Sequence, residues 1–218
     1  MRFIDMQTWP RRDHFRAFNA CANPHFCLCA NLDLTAFRPA VKQSGTSFTV
    51  AMVYAIARIS NAIPEFRYRI RGEAVVEHEV VHPSATILAQ DDLFTFCTIE
   101  YTQNFHDFAT RAAQTMAYAR AHPTLKDDPA RDDFLFMTAL PWVSFTAFVP
   151  PGHVHPAHSI PQFAWGKLFD EGKLTKMPTN VQVHHALVDG VHVGRFYEQL
   201  QDYFHRPELV FGESARPA

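Results

Sequence analysis

His184, His185 and Asp189 stand where a strand-like stretch gives way to a turn. Val181 and Val183 alternate there with Gln182 and His184, and Asp189-Gly190 is a turn pair. An imidazole at the end of a rigid strand can serve as a general base near neutral pH. A carboxylate four residues further on can orient or support it. Structural histidines satisfied by hydrogen bonds would give the same pattern, so adjacent histidines alone leave both readings open.

A second cluster, His153, His155 and His158, has ligands enough to suggest a metal. No cysteine spacing of a zinc site accompanies it, and residues 150–161 are rich in proline. The stretch reads as an exposed loop, and no bound metal is expected. A joint site with His184, His185 and His192 stays open. Thr138 precedes a Pro141-Trp142 break. Its hydroxyl either reaches a cleft or is satisfied by backbone, and Trp142 is either core or a platform for a ligand. There is no glycine-rich phosphate loop and no nucleophile elbow. With eight glycines in 218 residues, an amide cradle for a dinucleotide is not expected.

The elements that must position these groups follow from periodicity. After Gly190, the spacing of Val193, Phe196, Leu200 and Phe204 predicts an amphipathic helix fading at residues 205–207. Pro10 suits the first turn of a short helix. Residues 26–34 predict a strand, and 35–41 a helix. Residues 48–62, opened by Thr46 or Ser47, predict a helix apolar nearly all round and therefore buried. Residues 66–70 and 74–81 predict a hairpin about Gly72, with strands at 85–88 and 94–101. A helix is expected over 105–121, ended by His122-Pro123. Strands are expected at 134–137 and 143–149. A hairpin-like unit is expected from 163–169 and 177–184 around residues 170–172. No internal repeat or linker is visible. One α/β domain over residues 1–213 is expected, with 214–218 a loose tail.

Apolar residues make up 47% and charged residues 19%, with 20 Phe, which is ample for a core and suggests a buried subunit interface. A net charge of −2 without a basic run gives no sign of nucleic-acid binding. The N-terminal residues lack a signal peptide's apolar core, and no apolar run is long enough to span a membrane. Cys21, Cys27, Cys29 and Cys97 contain no CxxC pair and read as reduced thiols of a cytoplasmic protein.

Three blocks together resemble chloramphenicol acetyltransferases of the trimeric type: residues 9–15 (Trp-Pro-Arg-Arg-Asp-His-Phe), 139–148 around Pro141-Trp142, and 182–196 around His185. Their order and spacing match nearly the whole chain. The His-x-x-x-Asp-Gly motif alone is shared with dihydrolipoamide acyltransferase cores, plant acyltransferases and condensation domains. The last two need about twice this length. The resemblance implies a CoA-dependent acyltransferase fold, a two-layer sandwich with a mixed β-sheet flanked by helices. It implies chloramphenicol O-acetylation from acetyl-CoA as co-substrate, without a tightly bound cofactor, in a homotrimer with active sites at subunit interfaces. His185 matches the general base and Thr138 the oxyanion donor, a serine in the family. Asp189 matches a structural carboxylate paired with Arg11, a brace rather than a proton relay.

Trp142 and Lys167 match positions near CoA, and Phe148 matches an aromatic of the antibiotic pocket. Three positions depart from the pattern. Phe18 replaces a tyrosine that bonds the antibiotic, Ala164 replaces a threonine that holds a water, and a basic position near the CoA phosphate falls at Ser47. These leave open an O-acetyltransferase of the same fold for another hydroxylated small molecule. A more distant alternative is a non-enzymatic, metal-binding trimer using the histidine-rich loop.

Overall fold

A computed structural model of the chain describes residues 1–152 and 157–211. The expected tail at 214–218 lies outside the described residues, as do His153 and His155. In chain order the elements are β1 (Arg2–Phe3), α1 (Arg12–Asn19), β2 (His25–Asp33), α2 (Phe37–Gln43) and α3 (Phe48–Ala62). A short 3-10 turn at Pro64–Arg67 leads into β3 (Tyr68–Arg71), β4 (Ala74–Glu77), β5 (His82–Leu88) and β6 (Phe94–Thr98). Then come α4 (Phe105–Ala121), β7 (Phe134–Leu140), β8 (Gln162–Gly166), β9 (Phe169–Glu171), β10 (Leu174–His184), α5 (Gly190–His205) and the single turn α6 (Glu208–Phe211).

A mixed seven-stranded sheet runs β2-β10-β8-β7-β5-β6, with β9 paired to the outer part of β10. β7 is parallel to both β5 and β8, and the other pairings are antiparallel. This agrees with the expected α/β sandwich of helices on a mixed sheet. The predicted hairpin at 66–81 is present but shorter. It joins β1 in a separate three-stranded sheet, β1-β4-β3, because Pro64 imposes a 3-10 turn where the first strand was expected to begin.

Alternation sorts the large sheet into two faces. Val181, Phe163, Met137 and Ala85 lie in one row across four strands. They join the hydrophobic core made with α3, α4 and α5. The neighbouring row is Cys29, Asn180, Ala164 and Thr138. It faces the other way and is small and polar. The all-round apolar character of α3 has the expected consequence: Val50 to Ala57 are buried without a break. Asn104 caps α4, its side chain accepting from the Asp107 amide at 3.1 Å.

Arg69 ties the small sheet to the base of β7. It is fully buried, and its guanidinium donates to the carbonyls of Phe66 at 3.0 Å and Asp132 at 2.6 Å. Burial pulls its pKa down to about 10, still well above neutrality.

One predicted strand is absent. Residues 143–149 form no ladder. Among the described residues two backbone bonds hold them to it: the Val143 amide donates to the Leu140 carbonyl of β7 at 3.2 Å, and the Lys167 amide, just past β8, donates to the Val143 carbonyl at 2.8 Å. Apolar content there does not bring pairing: Val143 and Val149 are exposed. β7 instead runs three residues past its predicted end and carries Thr138 within the ladder.

Candidate active site

β10 ends at His184, and a tight turn carries the chain into α5. The Leu187 and Val188 amides both donate to the His184 carbonyl at 3.0 Å, and the His185 amide donates to Pro24 at 2.8 Å. Ala186, Leu187 and Val188 are buried, so the turn is anchored by packing as well.

The His185 ring is held on both sides. Phe18 from α1 stacks on it at 3.8 Å with an interplanar angle of 10°, and Phe26 from β2 lies tilted at 4.8 Å. Its Nδ1 is buried, has no aligned hydrogen bond, and lies 3.2 Å from Asp189 Oδ1. About a third of the side chain (33%) is exposed. With Nδ1 buried, that open edge carries Nε2.

Asp189 is the N-cap of α5 and binds Arg11 of the α1 cap through both carboxylate oxygens. The same guanidinium donates to the His185 carbonyl at 3.3 Å. Arg11 keeps Asp189 below the usual carboxylate range, so the group is charged at neutral pH. The carboxylate therefore faces both Arg11 and the His185 ring. A nearby anion favours the tautomer with its proton on Nδ1, which leaves Nε2 free to accept one.

Behind Asp189, its amide donates to His192 Nδ1 at 2.9 Å, and His192 Nε2 lies 3.4 Å from Glu65. Burial lowers the His192 pKa, which suits a neutral ring accepting at Nδ1.

The two adjacent histidines diverge, His184 closing the strand and His185 opening the turn. His184 is buried (2%), accepts from the Ala186 amide at 3.3 Å and meets His25 edge-on at 5.3 Å. Burial drives its pKa down to about 4. His25 donates to the His158 carbonyl at 2.7 Å, and the Gln162 amide donates to His158 Nε2 at 2.7 Å. His158 is thus built into the polar face of the sheet. Among the described residues, no group of three or more His, Cys, Asp or Glu is arranged to hold a metal.

Thr138 sits on that polar face, beside Ala164 and hydroxyl to hydroxyl with Thr86 at 2.7 Å. Ala164 is buried and presents only a methyl. In-register pairing fixes how far Thr138 lies from His185. Thr138, Ala164 and Asn180 share one row, and His185 is five residues beyond Asn180. Strand spacing and rise then separate Thr138 from His185 by roughly 19 Å within one chain.

Past β7 the chain crosses directly over β8. A Cβ at Gly166 would meet the Val143 carbonyl at 2.6 Å, so only glycine permits the crossing. Trp142 stands 66% exposed. Phe145 and Phe148 pair at 5.8 Å and are half-buried. Lys167 is exposed beside this crossing. Next to Leu168, an open cleft of about 380 Å³ has Arg38 and Lys42 in its wall.

The structure thus brings Arg11, Phe18, Asp189 and His185 together, and gathers Thr138, Ala164, Trp142 and Lys167 elsewhere. Sequence reasoning missed Phe26, Thr86, Glu65 and the role of His192. Their partners are distant in sequence, and a strand phenylalanine or threonine carries no local signal. The His192 contact had one available clue: it lies at the third position of a helix capped by Asp189, where a side chain can reach back to the cap amide.

A family model described as chloramphenicol acetyltransferase matches residues 1–201. A chloramphenicol acetyltransferase from Klebsiella sp is 34% identical over 201 residues, covering 92% of each chain. Chloramphenicol acetyltransferase 2 from Haemophilus influenzae is 32% identical, covering 91% of this chain and 94% of its own. A solved chloramphenicol acetyltransferase superposes with a TM-score of 0.83 at 24% identity, over 93% of this chain and 99% of that one. The Azotobacter vinelandii dihydrolipoamide acetyltransferase shares the fold at a TM-score of 0.66 and 20% identity, over 90% and 87% of the two chains.

Proposed function

The chain belongs to the chloramphenicol acetyltransferase family, and from that premise we propose that it transfers acetyl from acetyl-CoA to a hydroxyl of chloramphenicol. The observation that carries this is the His185 ring, clamped between Phe18 and Phe26 with Nδ1 turned to Asp189 and the Nε2 edge open.

His185 Nε2 takes the proton of the substrate hydroxyl as that oxygen attacks the thioester carbonyl. The tetrahedral intermediate carries an oxyanion, and the Thr138 hydroxyl donates to it. Collapse breaks the C–S bond. The departing CoA thiolate recovers the proton from the His185 imidazolium, so the enzyme ends as it began and no acyl-enzyme forms. Asp189 stays ionised beside Nδ1 and stabilises the transient cation, while Arg11 holds Asp189 and the His185 carbonyl in place.

A base and an oxyanion donor acting on one carbonyl must each come within about 3 Å of reacting atoms. A separation of roughly 19 Å within one chain is too large for that. The reading is therefore a site shared between subunits, with His185 of one meeting Thr138 of the next in the homotrimer that the resemblance implies. The exposed Trp142, Val143 and Val149 supply apolar surface for such a contact and for the CoA path. Lys167 stands beside that path. Arg38 and Lys42 offer the positive charge that Ser47 does not, facing the CoA phosphates. Phe148 lines the acceptor pocket.

Residues 1–213 work as one domain. Acetyl-CoA is a co-substrate, and no bound cofactor takes part. Four free cysteines fit a reducing cytoplasm, and among the described residues no helix is long and apolar enough to cross a membrane.

A second reading keeps the chemistry and changes the acceptor. Phe18 has no hydroxyl and its ring is engaged by His185, and Ala164 has no polar atom. A polar acceptor therefore finds fewer partners there. Acetyl-CoA-dependent thiol release with chloramphenicol, run beside a panel of other hydroxylated antibiotics, decides between them. Release with chloramphenicol at a kcat/KM above the panel supports the first reading. Release only with another member supports the second.

A further inference from the structure

Thr86 Oγ1 and Thr138 Oγ1 lie 2.7 Å apart. The two residues follow the in-register pair Ala85–Met137 on the parallel strands β5 and β7, so both point to the polar face of the sheet. Both are half-buried, and neither hydroxyl has another hydrogen-bond partner among the described residues.

Each hydroxyl carries one proton and can accept at its lone pairs. In the resting enzyme either can donate to the other. During the reaction the choice disappears. If the Thr138 proton goes to the oxyanion, Thr138 cannot also donate to Thr86, and the bond between them survives only with Thr86 as donor. We propose that Thr86 is a positioning residue for acetyl transfer: its hydroxyl donates to Thr138 Oγ1 and turns the Thr138 proton outward, toward the developing oxyanion.

This rests on Thr138 being the oxyanion donor. A hydroxyl rotor without a fixed partner must be oriented as the reaction proceeds, whereas one that already accepts a hydrogen bond is pre-aimed. Accepting a bond also polarises the O–H it then donates. Thr86 acts through Thr138. β5 and β7 hold it rigidly, since their backbones are paired from His82–Phe134 to Ala85–Met137.

The test compares Thr86→Val, which keeps the shape and removes the hydroxyl, with Thr86→Ser, which keeps the hydroxyl, in wild-type and Thr138→Ala backgrounds. Thr86→Val is expected to lower kcat roughly 2- to 13-fold, the effect of one neutral hydrogen bond. KM for acetyl-CoA and chloramphenicol stays unchanged, and Thr86→Ser restores the rate. Thr138→Ala alone lowers kcat about 10²–10³-fold, and adding Thr86→Val costs nothing more. A normal kcat in Thr86→Val beside an impaired Thr138→Ala overturns the role of Thr86 and leaves that of Thr138. A normal kcat in Thr138→Ala overturns both. An equal loss from Thr86→Val in either background, unrelieved by serine, assigns Thr86 to the fold alone.

Discussion

At the β10–α5 corner His185 is held closely by groups from α1, β2 and the cap of α5. Two phenylalanine rings fix the imidazole's plane, a carboxylate faces Nδ1, an arginine holds that carboxylate, and His192 holds the cap amide. Along β7 and residues 141–149 the opposite holds. Among the described residues Thr138 has a single hydroxyl neighbour, Trp142, Val143 and Val149 are exposed, and Val143 is tied down only by backbone bonds with Leu140 and Lys167. A base needs a defined ring plane and tautomer, and rigid contacts within one chain supply both. A passage for two substrates needs wall that these residues leave open, which a second copy would complete in the proposed homotrimer.

The strongest way to break this contrast is to remove the base. His185→Ala is expected to lower kcat about 10²–10⁴-fold while circular dichroism and trimer mass stay normal. Turnover near wild type would end the general-base role. The same variant tests the division between chains. Trimers reassembled from His185→Ala and Thr138→Ala subunits should recover activity, because some interfaces pair an intact base with an intact hydroxyl. No recovery in confirmed mixed trimers would return the site to one chain.

Removing the brace should have the next largest effect. Arg11→Ala strips the charge partner from a partly buried Asp189. It is expected to cost about 2–3 kcal/mol, less than a fully buried pair because solvent still reaches the carboxylate. Denaturant unfolding measures this, and a loss below measurement error would make the pair ornamental.

On the open side, Trp142→Ala should leave that stability nearly unchanged, since the ring is mostly in solvent. It should instead raise the KM for acetyl-CoA or weaken subunit association, which steady-state kinetics and sedimentation read separately. A drop in unfolding stability without either effect would contradict the contrast.

The last expected effect appears only at acid pH and concerns His184. Its folded pKa of about 4 lies below the usual histidine value. The unfolded chain therefore binds the proton more readily, and stability falls as pH drops from about 6.5 toward 4. His184→Asn keeps an acceptor for the Ala186 amide and removes the titration. It should flatten that part of the stability–pH curve by about 2–3 kcal/mol. An unchanged slope would mean that other groups set it.

Much of this was legible beforehand because it is local. The strand ending at His184, the helix after Gly190 and the buried helix at Phe48–Ala62 follow from periodicity and turn chemistry. The helix at Phe105–Ala121 has the expected bounds, its end set by His122-Pro123, while the Asn104 cap emerged only in the structure. The predicted strand at 143–149 failed because apolar content does not specify a partner. Its residues cross over Gly166 instead of pairing beside it.

The sequence by itself determined which residue types are available and the order of most elements, and three separated blocks pointed to the family. Only the tertiary structure decided that Phe18 stacks on the base, that Asp189 faces both Arg11 and His185, and that Thr86 meets Thr138. It also separated Thr138 from His185 within one chain. The physical reason is register. Periodicity assigns a strand residue to one face of a sheet, but which residue lies beside it on the next strand depends on long-range pairing that no short window of sequence contains.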